Sequence, residues 1–409
     1  MWAITVPGSP ADYPSAPGVG GDAADEFVET APSKQDRVVL VADNHLEAHQ
    51  RIALSNAWGR EMTMKAAVLE APYRFRIEER PLPALRPGWA LLKVKGAGLC
   101  GSDLHFYRGV LQAPPGLVRG HEIAGVIADA GDTGLPLGQA AVVCPMIGCG
   151  ACRACQRGEY HICENLKMIG SGDFPGGFAE YVAVPKEKLY PVDSGVLPFA
   201  HAALADCVGV GLHAANVIQL RPGEATTILG DGAIALFLLQ FCVARGAKPV
   251  IVVGKHERNL EFARQFGADL TLDARREDLV SAVLNFSGHQ DVVFEAAGGH
   301  IPPYETALRM LRRGGRVGLL GLTGETQVLV PWKDMVVFEQ ALVGMMGYST
   351  FDGVDELRQT IDMMVSGEVR IPPEMITRIK LEDIGQGFQM MVDRARSGVI
   401  KVVIDWEKA

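Results

Sequence analysis

The stretch of sequence that decides the fold is TTILGDGAIALFLLQFCVARGA, residues 226–247. A short apolar strand pattern runs into GDGAIA at residues 230–235, which has the spacing G-x-G-x-x-A. A helical pattern of roughly 14 residues follows, so the motif stands in the strand–turn–helix context that a dinucleotide-binding turn requires. An ordinary strand-to-helix turn is the alternative, and this context disfavours it.

Each small residue of this turn has a separate physical task. Gly230 permits the tight turn, Gly232 lets the backbone approach a pyrophosphate, and Ala235 allows the helix to pack closely on the strand. The N–H groups at the start of the helix, which include those of Ala233 and Ile234, are candidate donors to phosphate oxygens.

The next predicted strand, PVIVVG, ends at Gly254, where an NAD-binding fold usually carries Asp or Glu. Without a carboxylate there, the repulsion against a 2′-phosphate is removed. Lys255 and Arg258 are candidates to pair with that phosphate, and His256 is a candidate donor. The sequence therefore favours NADP(H). NAD(H) stays possible if these cations are only solvated, and Glu257 supports that alternative.

The regions around this motif differ in their predicted secondary structure. Residues 211–349 alternate strand and helix patterns, which predicts a parallel sheet with helices on both faces. Residues 64–210 hold short strands separated by Gly and Pro, which is typical of a β-rich, barrel-like domain. Residues 350–409 return to a strand, a helix and a strand.

A second motif, CGACRACQRGEYHIC at residues 149–163, has the spacing C-x2-C-x2-C-x7-C. Four thiolates this close together can point at one centre and form a tetrahedral zinc site, whereas four unrelated surface thiols rarely show such spacing. A site with four cysteine ligands leaves no position for a substrate and is therefore structural. Its predicted ligands are Cys149, Cys152, Cys155 and Cys163.

Candidate ligands for a second metal ion lie in three separate stretches. GLCGSDLHFYRG (residues 98–109) contains Cys100, and GHEIAG (residues 120–125) contains His121 and Glu122. ALADCVGVGLHAA (residues 203–215) offers Asp206 and its neighbour Cys207. A catalytic zinc needs three protein ligands and one open position, and these side chains are of the types that zinc accepts.

Four of these motifs follow one another along the chain: GLCGSDLHFYRG, GHEIAG, the four-cysteine segment and the glycine-rich turn. In this order they resemble the motifs of the zinc-containing medium-chain alcohol dehydrogenases, nearest the sorbitol, threonine and butanediol dehydrogenase branch. The resemblance covers roughly residues 64–406. It implies an α/β fold with a GroES-like catalytic domain (64–210 and 350–409) and a Rossmann domain with a doubly wound parallel sheet (211–349). It also implies two zinc ions per subunit, an alcohol or carbonyl substrate, and a homo-oligomer, either a dimer or a tetramer.

The resemblance also suggests roles for individual residues. Cys100, His121 and Asp206 correspond to the ligands of the catalytic zinc; relatives place Cys, Glu or Asp third, and the spacing to LHAA (residues 212–215) favours Asp206 over Cys207. Glu122 lies behind the metal in relatives, where it is a transient ligand or a carboxylate that tunes the site.

The proton released by the alcohol is expected to leave along a short path. By resemblance, Ser102 accepts the proton, which then passes through the cofactor ribose to His105. The alternative for His105 is a surface histidine on a helix turn.

Composition excludes several other classes of protein. The 409 residues are 48% hydrophobic and 21% charged, as in an ordinary globular enzyme. A net charge of −9 argues against a general nucleic-acid binder, and the longest apolar runs are too short to span a membrane. Eight cysteines, several of them predicted metal ligands, fit a reducing compartment and therefore the cytoplasm.

Residues 1–61 are rich in Gly, Pro, Ala and Asp and lack the basic and apolar segments of a secretory signal. We expect these residues to be a disordered extension, or the start codon to be assigned upstream of the real one. The first strand pattern begins at Met64. Two other functions are less consistent with the sequence of the whole chain. A zinc-free quinone or enoyl reductase would lack the cysteine motif, and a catalytically silent nucleotide-binding protein would not need the catalytic residues.

Overall fold

A computed structural model describes residues 62–407 apart from 113, 115, 276–277, 299–302 and 323–328. The predicted extension at residues 1–61 lies outside the described residues. Two large sheets dominate the described chain, one of six strands and one of seven. Among the described helices, none is long and apolar enough to cross a lipid bilayer.

The strands of the described chain are β1 (Thr63–Ala71), β2 (Arg74–Pro81), β3 (Trp89–Leu99), β4 (Glu122–Asp129), β5 (Ala140–Val143), β6 (Met146–Ile147), β7 (Lys167–Met168), β8 (Tyr181–Pro185), β9 (Leu189–Pro191), β10 (Thr226–Leu229), β11 (Val250–Gly254), β12 (Leu270–Asp273), β13 (Gln290–Glu295), β14 (Leu311–Leu319), β15 (Ala341–Gly344), β16 (Thr350–Phe351), β17 (Val354–Asp355), β18 (Ile376–Ile379) and β19 (Lys401–Asp405).

The α-helices of the described chain are α1 (Gly101–Tyr107), α2 (Arg153–Gln156), α3 (Phe199–Ala202), α4 (Ala205–Val217), α5 (Ala233–Ala244), α6 (Glu257–Gln265), α7 (Leu279–Ser287), α8 (Tyr304–Met310), α9 (Trp332–Phe338), α10 (Glu356–Ser366), α11 (Ile384–Val392) and α12 (Arg394–Ser397).

The six-stranded sheet is parallel throughout and has the order β12-β11-β10-β13-β14-β15. Successive residues of a strand point to opposite faces. Accordingly, Ile228 packs in the cluster that contains the buried side chains of α5 and α6, and Leu229 packs with those of α7 and α8. The predicted doubly wound parallel sheet is confirmed, and its strand order is that of the Rossmann fold.

The seven-stranded sheet has the order β18-β19-β3-β4-β5-β9, and β8 also pairs with β3. Its pairs are antiparallel except for β18 with β19. Strands from near the carboxyl end of the chain therefore share a sheet with strands from residues 89–191, and this sheet belongs to the β-rich part of the predicted fold.

The register of this sheet brings three distant segments together. Gly98 of β3 pairs with Glu122 at the start of β4, and Leu99 pairs with Val402 of β19. Cys100 follows β3 directly and precedes α1. The end of β3 and the starts of β4 and β19 therefore meet at one point, which is where Cys100, His121 and Glu122 are found.

Candidate active site and metal centres

The four cysteines of residues 149–163 form one compact group. Their sulfur atoms all lie within 4.8 Å of one another. The Sγ atoms of Cys152 and Cys163 are 3.7 Å apart, close to the roughly 3.8 Å expected between two ligands of a tetrahedral zinc ion with bonds of about 2.3 Å. The structure thus brings together the four residues predicted from the spacing, and their geometry fits zinc.

Backbone groups of the loop favour ionised sulfur atoms. The N–H of Cys149 and the N–H of Asn165 both donate to Cys163 Sγ, at 3.2 and 3.3 Å, and the N–H of Cys152 donates to Cys149 Sγ at 3.3 Å. Such donors stabilise thiolates, which are the form that binds metal.

The pKa values of two of these thiols are shifted in opposite directions. Backbone N–H donors lower the pKa of Cys152 to about 6. Burial and the hydrogen bonds with its neighbouring cysteines raise the pKa of Cys155 to about 12. A divalent cation would allow all four groups to ionise together, so the loop is suited to a structural zinc ion.

A second group joins Cys100, His121 and Glu122, whose ligand atoms also lie within 4.8 Å of one another. His121 and Glu122 are buried, and Cys100 is half-buried. A thiolate, an imidazole and a carboxylate at this spacing fit a zinc ion that keeps one position open.

Only one of the two carboxylate oxygens of Glu122 has a hydrogen-bond partner among the described residues. Its Oε1 accepts a hydrogen bond from the buried ammonium of Lys401 at 2.5 Å, and its Oε2 is buried without a hydrogen-bond partner. A Cβ built on Gly98 would lie 1.9 Å from Oε2, so glycine is required opposite this carboxylate. An orphaned buried oxygen is the kind of atom that a metal ion would satisfy.

His121 lies in a negatively charged environment. Its Nδ1 is 3.8 Å from Oδ2 of the buried Asp103, which also accepts from the N–H of Cys100 at 3.3 Å. Arg119 Nε donates to the other oxygen of Asp103 at 3.0 Å. Burial alone would lower the pKa of His121, but the charges of Cys100 and Asp103 raise it to about 10. The negative electrostatic potential that stabilises a proton on His121 would also stabilise a metal cation at this group.

Asp206 lies near this group but outside it in the described chain. It is buried in the first turn of α4, and its Oδ1 accepts a hydrogen bond from the Tyr348 hydroxyl at 2.7 Å. Burial raises the pKa of Asp206 to about 6, although the charge of His121 opposes this shift. Burial also raises the pKa of Cys207. The assignment of Asp206 as third ligand stays a prediction.

Ser102 and His105 are both half-buried residues of α1. Residues three apart on a helix lie on the same face, so the two side chains are neighbours one turn apart. The helix begins directly after Cys100, so Ser102 is two residues along the chain from a member of the metal-ligand group. The arrangement is compatible with a proton path that begins at Ser102.

The glycine turn at residues 230–232 has the geometry of a phosphate-binding turn. Gly230 has φ 136°, and a Cβ there would lie 2.7 Å from the backbone of Ala296. Gly232 is the N-cap of α5, no side chain caps this helix, and Ala235 is fully buried within it. The first turn of α5, which holds Ala233 and Ile234, therefore offers N–H groups to a phosphate.

At the end of β11, the carboxylate missing from position 254 is supplied by Asp231. This side chain accepts the N–H groups of Lys255 and His256 at 2.9 and 2.7 Å and also pairs with His256 Nδ1 at 3.0 Å. A Cβ on Gly254 would lie 2.5 Å from the Cβ of Asp231. Glycine at 254 is therefore required by Asp231.

The two basic side chains near this turn differ in their contacts. Both terminal nitrogens of Arg258 donate to backbone carbonyl oxygens, those of Gly398 at 3.0 Å and Glu374 at 2.7 Å. Lys255 is exposed, and its ammonium makes no contact of this kind with the described residues. Of the two cations, Lys255 is the one available to a phosphate.

Sequence reasoning missed three charged residues of these sites: Asp103, Lys401 and Asp231. Each carries a signal that could have been used. Asp103 follows Cys100 by three residues, Lys401 interrupts the apolar run VIKVVI, and Asp231 stands between two glycines where the turn has no need of a charge. A charge placed among apolar or glycine residues indicates a buried partner.

Comparison with known proteins identifies this combination of folds and ligands. The model of the alcohol dehydrogenase GroES-like domain matches residues 86–194, and that of the zinc-binding dehydrogenase matches residues 233–366. Sorbitol dehydrogenase of Bacillus subtilis (strain 168) is 31% identical over 275 residues, which cover 65% of this chain and 77% of that protein. L-threonine 3-dehydrogenase of Bacillus velezensis is 30% identical over 338 residues, which cover 80% of this chain and 95% of that protein.

Solved structures agree with the sequence relatives. A zinc-binding dehydrogenase from Sinorhizobium meliloti 1021, crystallised with NADP, superposes with a TM-score of 0.75 at 29% identity and covers 84% of this chain and 100% of its own. The matched regions contain the cysteine loop, the Cys100–His121–Glu122 group and most of the Rossmann sheet. The chain belongs to the family of zinc-containing medium-chain alcohol dehydrogenases, which are NAD(P)-dependent oxidoreductases.

Proposed function

We propose that this protein transfers hydride between NADP(H) and a secondary alcohol, a polyol or an amino alcohol. The observation that carries the proposal is the buried group of Cys100, His121 and Glu122, in which Glu122 Oε2 and His121 Nδ1 have no hydrogen-bond partner. The named functions of the relatives, which act on sorbitol and L-threonine, support the substrate class.

We assign two zinc ions to each subunit, one to the four cysteines of residues 149–163 and one to the Cys100 group. A zinc ion at the Cys100 group would polarise the substrate oxygen and lower the pKa of the alcohol. The chain's own residues define its environment, since Asp103 lies beside His121 and Lys401 holds Glu122. The cysteine site has all its ligands from protein and would only stabilise its loop.

We assign the third ligand position to Glu122, with Asp206 as the alternative that the sequence favoured. Glu122 belongs to the compact group, and its free Oε2 has no other partner. Asp206 instead accepts a hydrogen bond from Tyr348, which gives its carboxylate a partner without a metal ion.

Ser102 and His105 would carry the proton away from the substrate. The Ser102 hydroxyl can both accept and donate a proton, so it can take the proton of the alcohol. His105 follows one helical turn later and is half-buried, so its imidazole can pass the proton on to solvent.

We infer a preference for NADP(H) over NAD(H). The carboxylate of Asp231 already has three donors from Lys255 and His256, so it is not a free acceptor for a ribose 2′-hydroxyl. The exposed ammonium of Lys255 is available to pair with a 2′-phosphate. Arg258 contributes less than the sequence suggested, because carbonyl groups occupy its guanidinium.

We further propose that the protein is a homo-oligomer, a dimer or a tetramer, whose subunits meet near β15. This strand ends the six-stranded sheet and pairs with β14 alone in the described chain. On α9, Trp332, Val336 and Val337 are exposed apolar side chains, with Trp332 62% exposed. An open strand edge and exposed apolar side chains are features that self-association would cover.

The domain division and location follow from similar reasoning. We place the catalytic domain at residues 64–210 and 350–409 and the Rossmann domain at 211–349, with helix α4 running across the boundary at 210. We place the protein in the cytoplasm because all eight cysteines are free of disulfides.

A substrate panel tests the proposed function. The full chain, purified with its metal, is assayed with secondary alcohols, polyols and amino alcohols and with either NADP⁺ or NAD⁺. We expect turnover of at least one class and a higher kcat/KM with NADP⁺. Lys255→Met should reduce that preference by about 10-fold, the loss expected for one charge-assisted contact. Turnover that is equal with both cofactors in the wild type would contradict the cofactor assignment.

A further inference from the structure

Arg394, the first residue of α12, reaches the glycine turn from the segment that leads into β19. A Cβ built on Gly232 would lie 3.7 Å from Nη1 of Arg394. Apart from the residues adjacent to Gly232 in the chain, no other described residue has a heavy atom within 4 Å of that Cβ. A guanidinium of the C-terminal segment is therefore beside the N-cap of α5.

The guanidinium of Arg394 lacks a partner in the described chain. Its Nε is buried without a hydrogen-bond acceptor, and Arg394 is in none of the ion pairs found among the described residues. The neighbouring Arg396 differs on both counts, since it pairs with Asp393 and its side chain is 86% exposed. A guanidinium cannot give up its proton in a protein, so a half-buried guanidinium whose Nε has no acceptor is unfavourable until an anion reaches it.

The surroundings of Arg394 point to the location of that anion. Burial lowers the pKa of Arg394, while the charges of Asp231 and Cys100 oppose this effect. Arg394 is therefore close enough to Asp231 of the glycine turn and to Cys100 of the metal-ligand group to respond to their charges. The uncapped first turn of α5 presents N–H donors at the same turn. Two independent sets of donors therefore lie at the same turn, and the carboxylate of Asp231 already accepts from Lys255 and His256.

We propose that Arg394 binds the diphosphate of the dinucleotide from the side opposite α5. This inference rests on the proposed function, because it takes the glycine turn to be the cofactor site. An arginine fork can form two parallel hydrogen bonds with phosphate oxygens. Because NADP(H) and NAD(H) share the diphosphate, Arg394 strengthens the binding of both cofactors, whereas Lys255 acts on the 2′-phosphate alone.

Equilibrium binding to the full, metal-containing chain tests the proposal. The dissociation constants of NADPH and NADH are measured by the change in cofactor fluorescence for the wild type, Arg394→Met and the matched control Arg396→Met. Arg394→Met should weaken both cofactors by about 10-fold or more, and by similar factors. Arg396→Met should bind both as the wild type does. Unchanged affinity in Arg394→Met, or a loss confined to NADPH, would overturn the proposal.

Two further measurements separate binding from folding. The melting temperature of cofactor-free Arg394→Met should not fall, because removing a half-buried charge that has no ion-pair partner in the described chain does not destabilise the fold. Its rise on adding NADPH should be smaller than in the wild type. A lower melting temperature without cofactor, together with an unchanged rise, would assign Arg394 a structural role and refute the proposal. If the wild type binds neither cofactor, the proposed function itself fails.

Discussion

The side chain of Asp231 occupies the space in which a side chain at Gly254 would have to start. A Cβ at position 254 would come within 2.5 Å of Asp231 Cβ and 2.7 Å of its Oδ2. The carboxylate holds the backbone N–H groups of Lys255 and His256. A carboxylate that binds the backbone at the end of β11 is thus present, but it belongs to Asp231 of the glycine turn and not to residue 254.

This contact leads to a prediction about cofactor choice. Gly254→Asp alone should weaken both cofactors, because two carboxylates cannot share the site. Asp231→Ala combined with Gly254→Asp should remove the clash and place a free carboxylate at the strand end, where it can accept from a ribose 2′-hydroxyl. We expect the double variant to bind both cofactors and to shift the ratio of kcat/KM towards NADH by about 10-fold or more.

The control for this exchange is Asp231→Ala alone, which removes the carboxylate without replacing it. It should loosen the Lys255–His256 turn without creating an NADH preference. If Gly254→Asp alone already favours NADH at wild-type affinity, Asp231 does not occupy the site in the way that the structure indicates.

Metal content provides a second prediction. Cys152→Ser should lose one zinc ion per subunit and lower the melting temperature, because the fold of the cysteine loop depends on its metal. Cys100→Ala should lose the other zinc ion and the activity, with a smaller effect on melting. Elemental analysis and calorimetry give both readouts. As a control, Cys242→Ala, which changes a buried thiol outside both groups, should keep two zinc ions. One zinc ion in fully active wild-type protein would contradict the assignment.

The identity of the third catalytic ligand is tested by a pair of variants. If Glu122 binds the metal, Glu122→Gln should release the catalytic zinc more readily to a chelator, whereas Asp206→Asn should retain it. Glu122→Gln also leaves Lys401 unpaired, so the release rate is compared with that of Glu122→Gln/Lys401→Met. Faster release from Asp206→Asn than from Glu122→Gln would make Asp206 the ligand, as the sequence predicted.

The buried pair of Lys401 and Glu122 has a separate effect on stability. Lys401→Met should lower the free energy of unfolding by about 3–5 kcal/mol, because it leaves a buried carboxylate without its partner. Removing both charges, in Glu122→Gln/Lys401→Met, should recover most of this loss. Denaturant unfolding of the metal-free wild type and of both variants measures these differences in the free energy of unfolding. Equal unfolding of wild type and Lys401→Met in that state would show that the pair adds nothing without zinc.

Much of the fold could be predicted because local patterns specify it. The run from Thr226 to Ala247 carries an apolar strand, a required glycine and a helix, and the structure follows that order. The close grouping of the four cysteines could also be predicted, since they lie within fifteen residues of one chain segment. Local spacing was sufficient in both cases.

The contacts between distant segments could not be predicted in this way. Lys401 reaches Glu122 because β19 pairs with β3, and Arg394 reaches Gly232 from a short helix near the carboxyl end. The contacts of Arg258 could not be predicted for the same reason, because the carbonyl groups that accept from its guanidinium lie more than 100 residues away in the chain. Only the tertiary fold determines which of several charged side chains is left free for a ligand.

The most direct test of the central claim follows a labelled hydrogen atom. The full chain is incubated with NADP⁺ and alcohols deuterated at the carbinol carbon, and the mass of the reduced cofactor is measured. We predict deuterium in the NADPH formed by the wild type and none with Cys100→Ala, although that variant still binds the cofactor. Unlabelled NADPH from the wild type, or label transfer by Cys100→Ala at the wild-type rate, would contradict hydride transfer at this metal centre.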